Sequence, residues 1–378
     1  MASKTRSRPK RVLISFGTRP EAIKLAPVIK ELEKYPGEFR TLVLVTAQHR
    51  GMLDQVLDVF DIKPDHDLDI MRAGQTLTQI TKRALVGLER VLLKTRPDIV
   101  LVQGDTTSAY VSALAAYYQR VAVGHVEAGL RTEDKYAPYP EEMNRRLVGV
   151  LADLHFAPTS WAKDNLLREG VPASRVGVTG NTVIDALLMA LKSGKPWRVP
   201  VLDRIRPVQR VILVTAHRRE SFGAGFRRIC RALSLIVRRN PDVEIVYPVH
   251  PNPNVTKPVH DRLGGRDRIH LIRPLEYLPF AHVMEKAHMI LTDSGGIQEE
   301  APAVGKPVLV LREKTERPEA VAAGTAELVG TDVARIVDST EKLLRSPQTY
   351  ARMAKAANPF GDGQAARRIV RILRRFQL

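Results

Sequence analysis

The sequence predicts an α/β protein made of two Rossmann-like, doubly wound domains. Three observations carry this. Short β-branched runs alternate with segments of helical apolar period, the alternation halts once near residues 192–210 and then restarts, and polar residues gather just after the expected strands. Short apolar runs, each followed by a helix, are the pattern of parallel strands covered on both faces.

In the first half the expected strands are residues 11–17, 41–47, 98–104, 121–126, 154–157 and 175–179. Between the first two, Ala22, Leu25, Ala26 and Ile29 repeat at helical spacing. Ser193, Gly194, Pro196, Pro200 and Pro207 then interrupt the pattern and mark a linker. The second half restarts with strands at 211–216, 243–249, 269–272, 289–292, 308–311 and 327–329, so the expectation is six strands in each half. The domains are expected at 1–190 and 191–363, with a final helix at 364–378 packing back on the first. Ile369, Ile372, Leu373 and Phe376 form one apolar stripe of that helix, which needs a surface to cover it. In open α/β sheets ligands bind beyond the carboxyl ends of the strands. Two such sheets face to face would set the site in a central cleft.

Composition narrows the classes. The 378 residues carry 59 Lys plus Arg against 41 Asp plus Glu, with 44% apolar residues, which excludes a disordered chain. No uncharged apolar stretch reaches the roughly 18 residues of a membrane span, and the basic N-terminus has no apolar segment behind it, so a cytoplasmic protein without a membrane partner is expected. The single cysteine, Cys230, excludes a disulfide framework and a Cys-based metal site. The net charge of +18 invites a nucleic-acid reading. Ten of the cations, however, sit in the N-terminal tail (Lys4, Arg6, Arg8, Lys10, Arg11) and the last helix (Arg367, Arg368, Arg371, Arg374, Arg375). Aromatics are only 5% and are not interleaved with basic clusters, so base-stacking platforms are missing and no nucleic-acid partner is expected. A binder of an anionic small molecule fits this composition.

The polar residues after strands are the candidates for chemistry. After the first strand, Gly17 permits a tight turn and Pro20 opens a helix, leaving Arg19 and backbone N–H groups for an anion, or simply a turn with a surface Arg. Neither G-x-G-x-x-G nor a P-loop is present. Asp105 after the third strand is either a reacting acid or a helix cap. Glu127 follows the fourth strand between Gly124 and Gly129, where an acid must be paired if buried. Glu141 opens another helix, where it also complements the helix dipole. Three acids at successive mouths of one sheet suggest a shared crevice. The second half answers with His217 after its first strand, a donor or cation for phosphate or a core histidine. Ser294, Gly295 and Gly296 open a helix whose backbone can approach an anion, with Glu300 one turn on to bond ribose hydroxyls and Arg317 as a further cation. The remaining histidines lack zinc-ligand spacing, so no metal is expected.

These segments are collinear with, and resemble, the non-hydrolysing UDP-N-acetylglucosamine 2-epimerases. The resemblance runs from Arg11 to about Arg368 and rests on FGTRPEAIKLAP, TAQHRGMLDQVL, GDTTS, GHVEAGLRT, PYPEEMNR, TGNTVIDAL, TAHRRESFG, TDSGGIQEEAP, VLVLREKTERPEA and NPFGDG. It implies a glycosyltransferase-B-like pair of domains, a homodimer, and no cofactor. It carries Arg19, Lys24, His217, Phe280, Ser294, Gly296, Glu300 and Arg317 into nucleotide and diphosphate roles, with Gly295 alongside, and Asp105, Glu127 and Glu141 into the acid–base group with His217 near the leaving diphosphate. It also implies an activator site for a second UDP-GlcNAc at Gln48, Arg218 and His250. Gly51 and Gly74 stand where some members carry a Gln and an Arg, and Leu275 replaces a Gln near the uracil.

The implied chemistry accounts for the residue types. The sugar C2–H is not beside a carbonyl, so the anomeric C–O bond must break first, giving an oxocarbenium-like centre that acidifies C2–H. Cations then stabilise the departing UDP. One carboxylate removes the C2 proton to give 2-acetamidoglucal, another group delivers a proton to the opposite face, and UDP re-adds to give UDP-ManNAc. A hydrolysing relative that releases ManNAc and UDP, or a sugar transferase, are the alternatives.

Overall fold

The computed structural model describes residues 8–46, 50–72 and 74–377. It divides into two compact units, Met1–Met189 with Phe360–Leu378, and Ala190–Pro359. The chain leaves the first unit within a helix and returns to it near the C-terminus.

The first unit opens with β1 (Lys10–Phe16), α1 (Arg19–Glu33), β2 (Phe39–Val45), α2 (Arg50–Val59), β3 (His66–Asp67) and α3 (Leu77–Thr95). It continues with β4 (Ile99–Gln103), α4 (Thr107–Tyr118), β5 (Ala122–Val126), α5 (Glu141–Leu151) and β6 (Leu154–Ala157), then α6 (Ser160–Arg168), β7 (Val176–Val178) and α7 (Thr182–Leu191). The sheet order is β3-β2-β1-β4-β5-β6-β7, with every pairing parallel. Val12, Leu13, Ile14 and Phe16 of β1 are all fully buried, which is why the strand reads as continuous rather than alternating apolar. Among the described residues the unit has seven strands, not six. The extra one, β3, is a two-residue polar pair at the sheet edge, too short and too polar to leave a periodic signal.

The second unit holds β8 (Arg210–Thr215), α8 (Ala224–Arg239), β9 (Val243–Pro248), α9 (Pro253–Leu263), β10 (Ile269–Ile272), α10 (Tyr277–Lys286) and β11 (Met289–Thr292). Then come α11 (Gly295–Glu300), β12 (Val308–Val310), α12 (Pro318–Ala322), β13 (Ala326–Leu328), α13 (Val333–Arg345) and α14 (Pro347–Ala354). Its sheet runs β10-β9-β8-β11-β12-β13, again all parallel. On α8, Phe226, Ile229, Leu233 and Ile236 form the buried stripe against it.

The last helix, α15 (Ala365–Arg375), docks on the first unit beside α1. Ile369, Val370 and Leu373 are buried there, each contributing about 1.5–3 kcal/mol. Asp185 of α7 accepts the N–H groups of Ala365 and Ala366 at 3.2 and 2.9 Å, meeting the open donors at the helix start. The Lys10 ammonium donates to the carbonyls of Leu373 and Phe376 at 2.7 and 2.6 Å, meeting acceptors at its other end. A side chain at Gly177 in β7 would collide with Ile372, so a glycine there lets the helix approach the sheet.

Candidate active site

In both units the order of the sheet reverses between its first and fourth principal strands, β1 and β4 in one and β8 and β11 in the other. Loops diverge at such a switch point and leave a crevice past the strand ends. Arg19 and Asp105 emerge from these loops in the first unit, and His217, Ser294, Gly295 and Gly296 in the second.

In the first unit, Gly17 and Thr18 turn out of β1 into α1, with Arg19 its first residue and Lys24 one turn on. A Cβ on Gly17 would clash with the hydroxyls of Thr46 and Ser108, so only glycine allows the turn to lie this close to the start of α4. Glu127 follows β5 with φ of 62°, in the left-handed region. A non-glycine residue costs about 1–2 kcal/mol there. Its carboxylate, nearly buried, is gripped on several sides: the Lys24 ammonium lies 2.6 Å from each oxygen, Asn181 Nδ2 donates at 2.9 Å, and the Gln103 amide donates to Oε2. The acid read as needing a partner if buried has one in Lys24.

Asp105 sits in the turn after β4. The helix cap of α4 is its neighbour Thr106, whose hydroxyl accepts the Ala109 N–H at 3.0 Å, so Asp105 is not engaged in capping. Its carboxylate is paired with Arg145, while its carbonyl accepts from Asn144 Nδ2 at 2.9 Å. Burial raises its proton affinity, Arg145 and Lys24 oppose this, and the Glu127 charge reinforces it. His125 is fully buried with Nε2 2.7 Å from the Gly104 carbonyl, and burial pushes its pKa down to about 3. The neutral ring thus donates from Nε2 and fixes the peptide that precedes Asp105.

Glu141 is the first residue of α5 and half-buried; no described hydrogen bond or ion pair links it to Asp105 or Glu127. The helix reaches the cluster through Asn144 and Arg145 instead. The adjacent Glu142 is fully buried, accepting the Thr132 N–H at 3.1 Å and Arg146 Nε at 3.0 Å, a role that holds the loop. Gln103 and Asn181 bond to Glu127, and Arg145 to Asp105, neighbours that the sequence does not single out. Each lies within or beside a quoted segment, but residue type alone gives no sign of which way it points.

In the second unit, buried Asp293 follows β11 and accepts the N–H groups of His217 and Arg218, both at 2.7 Å. His217 Nδ1 lies 3.5 Å from the other oxygen of Asp293, and its ring stacks on His250 with centroids 5.2 Å apart. Burial lowers the His217 pKa, with Arg218 and His250 acting the same way and Asp293 opposing. Tyr247 OH donates to the Ala216 carbonyl at 2.8 Å and anchors the same loop from below. Ser294 is the N-cap residue of α11, and its N–H donates to Thr292 Oγ1 at 2.9 Å. A Cβ on Gly295 would lie 3.8 Å from Arg317 Cζ, and one on Gly296 3.7 Å from Glu300 Oε2, so Arg317 lies beside Gly295 and Glu300 beside Gly296. Arg317 is held by Glu299, itself buried. Phe280 is half-buried on α10, and no described bond joins it to this group. Of the candidate activator residues, Arg218 and His250 lie beside His217, while Gln48 is outside the described residues. Gly74 has φ of 68°, a backbone that an arginine adopts only with strain.

Among the described residues no group of three or more His, Cys, Asp or Glu is placed to hold a metal ion, and no helix is long and apolar enough to cross a membrane.

The chain matches a family model described as UDP-N-acetylglucosamine 2-epimerase over residues 30–374. It is similar to the UDP-N-acetylglucosamine 2-epimerase of Escherichia coli (strain K12), 56% identical over 96% of this chain and 98% of that one. The crystal structure of UDP-GlcNAc 2-epimerase from Neisseria meningitidis bound to UDP-GlcNAc is 50% identical, covers 97% of this chain and 100% of its own, and superposes with a TM-score of 0.86. At 13% identity, a glycosyltransferase of kitacinnamycin still superposes with a TM-score of 0.62 over 97% of this chain and 100% of its own, a likeness of fold.

Proposed function

The chain belongs to the UDP-N-acetylglucosamine 2-epimerase family, and we propose that it interconverts UDP-GlcNAc and UDP-ManNAc without hydrolysis. The observation that carries this reading is the pair of carboxylates beyond the β1/β4 switch, Glu127 held by Lys24 and Asp105 held by Arg145. Inversion at C2 needs one group to take a proton and another to return it on the opposite face. Two acids with different partners and different exposure suit that division.

The bond between C1 and the diphosphate oxygen breaks with its electron pair going to UDP, whose growing charge is met by Arg19, His217 and Arg317. A carboxylate accepts the C2 proton, and that C–H pair becomes the C1–C2 double bond of 2-acetamidoglucal. Protonation of C2 from the other face and attack of the UDP oxygen on C1 complete the exchange. Asp105 and Glu127 are the proposed acid–base pair, with Glu141 as a further member. Ser294, Gly295, Gly296, Glu300 and Phe280 are assigned to the nucleotide. Lys24 is read as bridging both roles.

A second copy of the chain is the proposed partner. Val86 and Leu93 on α3, Tyr117 and Tyr118 on α4, and Leu147 and Val150 on α5 are exposed, and these three helices are neighbours. We leave the activator role with Arg218, His250 and Gln48.

Proton NMR of the protein with UDP-GlcNAc in D₂O, without an acceptor, tests the reading. UDP-ManNAc carrying deuterium at C2 supports it. Free ManNAc with UDP would assign a hydrolase, and unchanged substrate would point to a transferase that needs its acceptor.

A further inference from the structure

Glu21 does not belong to the group assigned above, yet it joins the two turns that carry Arg19, Lys24 and Asp105. It is the third residue of α1 and 1% exposed. Its Oε2 accepts the N–H groups of Gly17 and Thr18 at 3.1 and 2.8 Å, which defines the turn leading into Arg19 and Lys24. Its Oε1 accepts the hydroxyl of Thr106 at 2.7 Å, and Thr106 adjoins Asp105. One side chain thereby spans the β1–α1 and β4–α4 turns on either side of the switch point. The turn it holds is tightly packed at Gly17: Thr46 and Ser108 hydroxyls bond at 2.9 Å there, and the space beside Gly17 admits no side chain.

An interior carboxylate without a cation is unusual, because burial disfavours its charge. Its own helix carries Arg19, Lys24, Lys30, Glu31 and Glu33 and the facing turn Asp105, and no described ion pair joins Glu21 to any of them. Its described partners are neutral N–H and O–H donors, and burial outweighs them, pushing its pKa up to about 7. A glutamate serving only as the first-turn partner of a helix cap would work equally well at the surface.

Resting on the proposed epimerase reading, we propose that Glu21 is a positioning residue: it clamps the turn of Arg19 and Lys24 to the turn of Asp105, and so fixes the Lys24–Glu127 and Asp105–Arg145 pairs relative to each other. It touches no substrate. Displacing a reacting group by about 1 Å can cost on the order of 100-fold.

Glu21→Asp keeps the charge but is one methylene too short to reach both turns. It is expected to lower kcat about 10- to 100-fold, with KM changed less than about threefold. Glu21→Gln keeps the length and loses the charge; the unmodified enzyme is expected to show an inflection near neutrality in its kcat–pH profile, and the variant to lack it. A merely structural glutamate would lower the melting temperature in both variants without altering the shape of that profile. If the Glu21 variants do not fold, Thr106→Val, which removes the hydroxyl, is expected to lose kcat, and Thr106→Ser, which restores it, to recover. A Glu21→Asp or Thr106→Val enzyme with kcat within twofold of the unmodified one overturns the proposal. Amide exchange of the peptide spanning residues 11–24 separates the clamp from the reaction. Faster exchange in Thr106→Val with an unmodified protein that is inactive on UDP-GlcNAc sinks the epimerase reading and leaves the clamp standing. Unchanged exchange sinks the clamp whatever the activity.

Discussion

The Lys24 ammonium stands 2.6 Å from both carboxylate oxygens of Glu127, joining the first helix of the chain to the turn after β5. The pair links two segments about a hundred residues apart, and it holds a glutamate whose backbone lies in the left-handed region. Such a buried pair is poor evidence for stability, because desolvation offsets the attraction. Its presence argues for a function.

Glu127→Gln is therefore expected to reduce kcat by at least about 100-fold, the lower bound for loss of a general acid–base group. Affinity for UDP should stay within a few-fold, since most of the residues assigned to the nucleotide lie in the other unit and the substitution leaves Lys24 and Arg19 in place. Deuterium wash-in at C2, followed beside UDP titration calorimetry, checks both halves. Rapid wash-in by the variant would remove Glu127 from the acid–base pair.

Asp105 gives a prediction in pH. Burial raises its pKa and the Arg145 guanidinium holds it back, so Arg145→Met should let it rise further. If Asp105 works as a base, the acidic limb of the kcat profile moves to higher pH in the variant; if it works as an acid, the basic limb does. Profiles of the two proteins between pH 5 and pH 9, compared limb by limb, decide which. No movement of either limb would mean that Asp105 does not titrate in the rate-determining steps.

Much of this architecture is legible in the sequence. Parallel strands buried on both faces leave long apolar runs, and a helix must follow each, so twelve of the thirteen strands among the described residues are visible there. The edge strand β3 is not, since two polar residues have no period. Asp105 and Glu127 are legible because apolar packing cannot account for an acid placed directly after a buried strand. Lys24 follows from the resemblance alone, and its pairing with Glu127 is a tertiary fact. Arg145 and Glu141 lie four residues apart on α5, and only the packing decides that the arginine meets Asp105. Glu21 is hidden for a different reason: an acid in a first helical turn is ordinary, and nothing in the sequence marks it as buried.

Asp185 makes the attachment of α15 depend on pH. Burial lifts its pKa from 3.8 to about 6 despite two N–H donors, so the folded state favours its neutral form. The stability it contributes is complete below the unfolded value and is lost as pH rises through about 6. Against Asp185→Asn, which cannot ionise, the unmodified protein should lose up to about 3 kcal/mol of relative stability between pH 4 and pH 7. Asp185→Ala should be less stable at every pH, by about 1–3 kcal/mol, because the N–H groups of Ala365 and Ala366 are left without an acceptor. Urea melts at the two pH values measure both differences; parallel behaviour of the Asp and Asn proteins would disprove the titration.

The apolar side chains left uncovered on α3, α4 and α5 predict the assembly. Val150 is 84% exposed, and Leu147 lies one turn before it on the same helix. A monomer gains nothing by presenting these residues with Leu93 and two tyrosines on neighbouring helices, whereas burying them against the same patch of a second copy satisfies both. Val150→Arg places a charge at the centre of that contact without touching the core, so each chain should fold normally. Light scattering after size exclusion should read about 84 kDa for the unmodified protein, twice the 42.2 kDa chain, and a single chain for the variant. Equal masses with equal melting curves would show that these helices face solvent. If Asp105 and Arg145 hold their geometry only when α5 is braced by the partner, the monomeric variant should also lose turnover, and its activity should recover at concentrations that restore the dimer.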